Sequence, residues 1–321
     1  EDDKIIVRSN GAATYVAKDI PYAAWKLGVL NDPFNYAKYT TQSNGKVLYE
    51  TTLDEAQIPK QSFAANKVIT VIDNRQANLQ KIVTDLMSKF SPESSYVHLG
   101  YEAVTLSSET AKLLGNKTDG REVQMSGRKG LYINADEIIE KLEKRIYLES
   151  KERNTSLDDA SLNEIAHNVA NGTIRYELIK PDLDKIITFD INTSLKLEGD
   201  TCSYIQYSCV RAARILEKSD KKPDFNASFD QLNTEHDLNL IKQIGMFEIF
   251  VNDAAKNYSP KVIAKYCYGL AVTFSSFYEH VKVLKAETPE LVNARLCLVL
   301  SFGLTLEKAL DLLGITVPQR M

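Results

Sequence analysis

Val68-Ile69-Thr70-Val71-Ile72-Asp73-Asn74-Arg75-Gln76 is the stretch that decides the fold. Its first five residues are apolar or β-branched without a polar alternation, the pattern of a strand buried on both faces of a parallel sheet. Asp73 ends the run, and Leu79, Ile82, Val83 and Leu86 then recur at the spacing of one helical face. Strand, polar turn and helix make half of a βαβ unit, which predicts a mostly parallel sheet with helices packed on it. Open sheets of that kind place ligands beyond the carboxyl ends of their strands, so Gln76 falls at a ligand-facing edge.

Upstream, Ile5-Ile6-Val7 reads as a short strand and Ser9-Asn10-Gly11 as a tight turn. Tyr15 to Leu27 has helical spacing, which puts Tyr15 and Asp19 one turn apart on the same side. Downstream, Tyr96 to Leu99 is a second strand ending at Gly100. Arg121 to Met125 leads into the Gly-flanked basic turn Ser126-Gly127-Arg128-Lys129-Gly130. Asn134 can cap a helix with Glu137 as capping-box partner. Ile138, Leu142 and Ile146 then mark its buried side, with Glu137/Lys141 and Glu140/Lys144 as ion pairs on the outer side.

From Thr201 onward strand signals stop. Ile205, Cys209, Ala212 and Leu216 form one helical stripe, and Ile263, Tyr266, Leu270, Phe277 and Val281 a longer one. Lys218 to Ser228 is a polar surface loop, and Pro289 stands at a helix start, where its missing amide costs nothing. The fold class is therefore α/β plus all-α: a Rossmann-type half followed by a helical bundle. The expected domains are 1–133, a connecting region 134–199, and 200–321.

Composition narrows the class. With 44% hydrophobic and 26% charged residues the chain is ordinary for a folded protein, and 321 residues suit about two domains. The longest apolar stretches, such as Leu296 to Phe302, are too short to cross a bilayer. Glu1-Asp2-Asp3-Lys4 lacks the pattern of a secretory leader and reads as the tail of a charged linker or a cleavage tag, the expectation being a chain cut from something longer. Cys202, Cys209, Cys267 and Cys297 form no CxxC pair and have no His at ligand spacing, so no metal site and a reducing, cytoplasmic setting are expected. The formal charge of −4 requires any nucleic-acid contact to come from local basic patches.

Two patches carry chemistry. The backbone amides and Ser126 hydroxyl of the basic turn can hold phosphate, and Arg128 and Lys129 can offset charge on a transferring nucleotide; equally, such a turn can be a solvated loop. Tyr207, Arg211 and Arg214 share a helical face away from the core stripe, suited to stacking splayed bases or, alternatively, to packing between helices.

Taken in order, these segments resemble one family, the arginyl-tRNA synthetases of class I. Val7-Arg8-Ser9-Asn10-Gly11 through Thr14-Tyr15-Val16-Ala17-Lys18-Asp19-Ile20 is similar to their arginine-binding segment. Asp73-Asn74-Arg75-Gln76 and Tyr96-Val97-His98-Leu99-Gly100 are similar to strand ends beside the amino acid and the adenylate. Gln124-Met125-Ser126-Gly127-Arg128-Lys129-Gly130 resembles the KMSKS loop, with Gln124 and Gly127 where two lysines would stand. Tyr204-Ile205-Gln206-Tyr207 with Arg211, Ala294-Arg295-Leu296, and Leu313-Gly314-Ile315 to Met321 resemble the helical, DALR-type anticodon-binding domain.

The resemblance implies ATP-dependent activation of L-arginine, with Mg2+ as the expected counter-ion, and transfer to tRNA(Arg) by a monomer without membrane contact. It assigns Tyr15, Asp19 and Gln76 to arginine and His98, Gly100, Met125 and Ser126 to ATP or adenylate. Ser126, Arg128 and Lys129 take the catalytic role, and Tyr207, Arg211, Arg214 and Met321 contact tRNA. The first class I signature, His-x-Gly-His, cannot be formed by His98, His167, His236 and His280. These residues alone are therefore expected not to activate arginine. A non-catalytic RNA-binding or assembly module derived from such an enzyme is the alternative.

Overall fold

The computed structural model describes residues 5–58, 64–113, 115, 123–124 and 134–321. Two compact units divide the chain, Glu1–Glu102 and Ala103–Met321.

In the first unit the predicted turn forms. Gly11 adopts φ +80°, the left-handed region open to glycine, and Val7 pairs with Ala13 across it. Helix α1 (Tyr15–Lys26) follows, then an antiparallel hairpin, β1 (Asn35–Thr41) and β2 (Val47–Thr52), whose residues carry no periodic signal. Strand β3 (Lys67–Asp73) pairs in parallel with β4 (Ser95–Tyr101) around the crossover helix α2 (Ala77–Phe90). Register sets Val68, Thr70 and Ile72 beside Tyr96, His98 and Gly100. Because side chains alternate, these six share one face.

That face carries the core, where Val68 packs with Ala23, Ala24 and Leu27 of α1 and with Val83 and Met87 of α2. The expectation of a strand buried on both faces is corrected. Both helices lie on the Val68 side, so Ile69 and Val71 on the other side are 43% and 64% exposed.

The second unit has two cores. Strand β5 (Val104–Leu106) lies between β6 (Val123–Gln124), antiparallel to it, and β7 (Ile187–Phe189), parallel to it. Helices α3 (Ser108–Leu113), α4 (Ala135–Arg153), α5 (Asp159–Ile179) and α6 (Ile191–Ser194) accompany this sheet. Leu106, Leu142, Ile146, Ile165, Val169 and Phe189 form its core.

Asn134 stands at the N-cap of α4 with extended backbone, but its side chain makes no cap bond, so the predicted capping box is absent. Lys141 donates to the Leu113 carbonyl (2.7 Å) rather than pairing with Glu137, because the end of α3 brings that unsatisfied carbonyl within reach.

The second core belongs to α7 (Cys202–Glu217), α8 (Glu235–Gly245), α9 (Phe247–Asn257), α10 (Pro260–His280) and α11 (Pro289–Leu312). Ile205, Tyr266, Leu270, Phe274, Phe302 and Leu306 are all but fully buried in it. Pro289 opens α11 after the N-cap Thr288, whose hydroxyl accepts the Leu291 amide. By length and composition α11 could span a bilayer, contrary to the sequence reading, but Leu296, Val299, Phe302 and Leu306 are buried in the bundle. The four cysteines are free and buried, as packing residues. Deep in the bundle, Arg295 meets Asp237 (3.3 Å) and donates to the Lys282 carbonyl (3.0 Å).

Candidate substrate and nucleic-acid sites

Asp19 lies half-buried one turn along α1 from Tyr15, which is 78% exposed. Asp19 Oδ2 accepts from Gln80 Nε2 (3.4 Å), and Gln80 Oε1 accepts from the Tyr96 hydroxyl (3.0 Å), which in turn accepts from Thr70 Oγ1 (2.8 Å). This chain of bonds fixes α1 against the first turn of α2 and against the face shared by β3 and β4. Gln76 caps α2 one turn before Gln80. The arrangement sets Asp19 beside the first turn of α2, the helix that follows β3, and ties it to the face that β3 and β4 share.

Farther along that face, the His98 ring nitrogen Nε2 lies 3.0 Å from the Ile72 carbonyl oxygen. At Gly100 a Cβ would collide with Asn74 Oδ1, whose amide donates to Glu102 (3.1 Å). The spacing His98-x-Gly100 thus has a packing reason, the room that the Asn74 side chain needs.

Asp73, at the N-cap of the short 3-10 turn Asn74–Gln76, accepts from the Arg75 amide (2.8 Å), Nε (2.9 Å) and Nη2 (2.7 Å). The Arg75 side chain, then its backbone amide, holds the Asp73 carboxyl at about 2 against an ordinary 3.8. A lowered folded-state value means that the stabilisation is present above the unfolded value and is lost as pH falls through the folded one. The window thus runs from about pH 4 down to about pH 2. A carboxyl 13C titration of Asp73 is expected to show that low midpoint, and Arg75→Ala to raise it toward the ordinary range, short of it by what the retained backbone amide bond contributes. A wild-type midpoint near 4 would contradict the pairing.

The catalytic loop candidates Met125, Ser126, Arg128 and Lys129 lie outside the described residues. Among the described residues no group of three or more His, Cys, Asp and Glu side chains gathers as a metal site.

In the second unit, Thr201 caps α7 through the Tyr204 amide (3.3 Å) and so fixes where its faces begin. Tyr207, Arg211 and Arg214 occupy its less buried side, as their spacing predicts. The Arg211 guanidinium sits between two rings, 4.8 Å from the centre of Tyr207 and 4.6 Å from that of Tyr278 on α10. Arg214 is instead tied to Glu217 (2.7 Å). Tyr207 also lines a cavity of about 420 Å³ with Met321, Leu195, Leu197 and Ser203.

The tail bearing Met321 is anchored. Gly314 turns it at φ +67°, Ile315 is buried, and Gln206 Nε2 donates to the Thr316 carbonyl (2.8 Å).

Three participants were not legible as site residues: Gln80, Tyr278 and Gln206. For Gln80 a signal existed, since it lies three residues before Val83 and seven before Met87, a polar residue on the apolar side of its helix. Tyr278 and Gln206 meet their partners through pairings distant in sequence, which no local pattern reports.

The helical bundle is of a known class: residues 205–321 match the DALR anticodon binding domain family. The whole chain is 32% identical to the arginine–tRNA ligase of Deinococcus radiodurans, covering 100% of this chain and 53% of that protein. It is 34% identical to that of Thermococcus sibiricus, covering 99% and 49%. The Thermus thermophilus arginyl-tRNA synthetase structure superposes with a TM-score of 0.81 at 31% identity, over 98% of this chain and 50% of that one. The Plasmodium falciparum arginyl-tRNA synthetase shares the fold, with a TM-score of 0.72 at 21% identity, over 100% and 48%. The chain is thus similar along its whole length to arginine–tRNA ligases, as a C-terminal portion, and it spans about half the length of the curated relatives it matches.

Proposed function

We propose that this chain carries the arginine-binding and anticodon-reading parts of a class I, ATP-dependent arginine–tRNA ligase acting in the cytoplasm. The observation that carries this reading is one similarity to arginine–tRNA ligases running through 99–100% of the chain, and hence through both compact units. The reaction is displacement at the α-phosphate of ATP by the arginine carboxylate, followed by transfer of the arginyl group to the tRNA 3′ end. The protein's work is then positioning and charge stabilisation.

Asp19 would pair with the substrate guanidinium through two charge-assisted hydrogen bonds, beside Tyr15, and Gln76 would hold the amino-acid end. His98 and Gly100 would border the adenylate. Met125, Ser126, Arg128 and Lys129 would close over the phosphates. Among the described residues no three His, Cys, Asp or Glu side chains gather to hold a resident ion. Mg2+ arriving with ATP would supply charge neutralisation at the phosphates.

Tyr207, Arg211 and Met321 would receive an anticodon base, with the guanidinium fixed between its two tyrosines as a stacking platform. Arg211→Ala is expected to weaken binding of tRNA(Arg) to the chain by roughly 10- to 100-fold, the scale of one lost base stack. Arg214→Ala, already neutralised by Glu217, is expected to change it less than about threefold, as for an exposed pair. Filter binding at fixed salt checks both, and equal effects of the two substitutions would contradict the assignment.

One observation favours a second reading, a non-catalytic RNA-binding or assembly module: the family match falls on residues 205–321, the helical bundle. Both readings expect no arginine-dependent ATP–pyrophosphate exchange from these 321 residues alone. Robust exchange would overturn that expectation. Arginylation of tRNA by the full-length protein supports the ligase reading, and its failure with tRNA binding retained supports the module.

A further inference from the structure

We propose that Gln80 is a positioning residue for arginine recognition, holding the Asp19 carboxylate through a hydrogen-bond relay that ends on Tyr96 and Thr70. The inference rests on the reading of Asp19 as the guanidinium partner. An ionised carboxylate only accepts hydrogen bonds, so the Gln80 group facing Asp19 Oδ2 is the amide nitrogen (3.4 Å). That choice turns Gln80 Oε1 toward Tyr96, whose single proton must then be donated to it (3.0 Å). The phenolic oxygen is left to accept from Thr70 Oγ1 (2.8 Å). Every group in the relay thus has one allowed orientation, set by the charge at Asp19.

Burial makes the orientation hard to lose. Gln80 is 2% exposed, so water does not replace either of its partners. Tyr96 keeps its proton, since burial raises its pKa, with the Asp19 charge adding to the rise and the Thr70 bond opposing it. Asp19 itself is on α1 while Gln80, Thr70 and Tyr96 lie on α2, β3 and β4. The relay therefore fixes the carboxylate relative to the sheet, not merely to its own helix. With Oδ2 held from behind, Oδ1 has no partner among the described residues and is available to a guanidinium.

The test is steady-state arginylation by the full-length protein. Gln80→Leu, which keeps the side-chain volume, is expected to raise the KM for arginine about tenfold with kcat and the KM for ATP within about twofold, the low end for losing a group that orients a contact residue. Tyr96→Phe keeps the ring packing and removes the hydroxyl, and with it the links to Gln80 and Thr70; it is expected to raise the KM for arginine about threefold and carries the test if Gln80→Leu does not fold. Added to Asp19→Asn, Gln80→Leu is expected to have no further effect on the KM for arginine, because the two act through one contact. Unchanged arginine KM in Gln80→Leu and Tyr96→Phe, or full additivity with Asp19→Asn, would overturn the inference while leaving Asp19 as the arginine residue. An unchanged arginine KM in Asp19→Asn itself would overturn the underlying reading instead.

Discussion

Asp19→Asn in the full-length protein is expected to raise the KM for arginine by roughly two to three orders of magnitude, the cost of leaving a desolvated guanidinium without its charged partner, about 2–5 kcal/mol. The substitution keeps the side chain's size and shape, so α1 and its packing through Ala23, Ala24 and Leu27 are untouched. What is lost is the negative charge and one acceptor oxygen. A guanidinium carries donors only, and an asparagine amide that presents its nitrogen to it repels it. The KM for ATP is expected to stay within about twofold, since a contact made equally in ground and transition states moves binding alone. Steady-state arginylation with varied arginine checks the split. A change confined to kcat, or of similar size for ATP, would remove Asp19 from the arginine site.

The second large effect concerns the bundle. Asp237→Ala is expected to destabilise the second unit by about 3–5 kcal/mol, because it leaves the buried Arg295 guanidinium with one carbonyl partner and no counter-charge. Asp237 has a second duty. Its Oδ2 accepts from the Thr234 amide (3.2 Å) and hydroxyl (2.6 Å), and its own amide donates back to Thr234 Oγ1 (3.1 Å), which closes the capping box of α8. One side chain thus begins a helix and neutralises a charge on α11. At about 2–4 °C per kcal/mol for a unit of this size, the thermal midpoint should fall by on the order of 10 °C. Asp237→Ala with Arg295→Met should recover part of the loss, since an apolar pair of similar volume removes the unpaired charge. A midpoint shift of less than about 2 °C in the single variant, followed by circular dichroism, would show that the pair is not the keystone the geometry indicates.

Much of this was legible in the sequence, for identifiable reasons. The strand Lys67–Asp73 carries a continuous apolar run, α2, α7 and α10 carry helical stripes and Pro289 marks the start of α11, and each forms where its pattern places it, whereas α8 and α9 arise in a stretch without a distinctive pattern. Tyr15 with Asp19, and Tyr207 with Arg211, were legible because one helical turn separates each pair. The errors share a cause. The run from Val68 to Ile72 is apolar on both sides, but strand burial depends on which faces helices cover, and α1 and α2 both cover the same one. Asn134 and Lys141 obey local rules of capping and pairing, and α3 supplies Lys141 with an acceptor that those rules do not contain. Gln80, Tyr278 and Gln206 act through partners 16 to 110 residues away, so only the folded chain reveals them. The hairpin Asn35–Thr52 lay in the least distinctive stretch, exposed on most of its surface and without the alternation that a half-buried hairpin shows.

The claim that the first unit recognises arginine and the second tRNA is tested most directly by charging. Full-length protein would be incubated with ATP, purified tRNA(Arg) and each of a panel of radiolabelled amino acids, and acid-precipitable label counted. The account predicts label from arginine alone, lost with Asp19→Asn at low arginine and regained at high arginine. Label from lysine comparable to that from arginine, or arginine charging indifferent to Asp19→Asn, would contradict it.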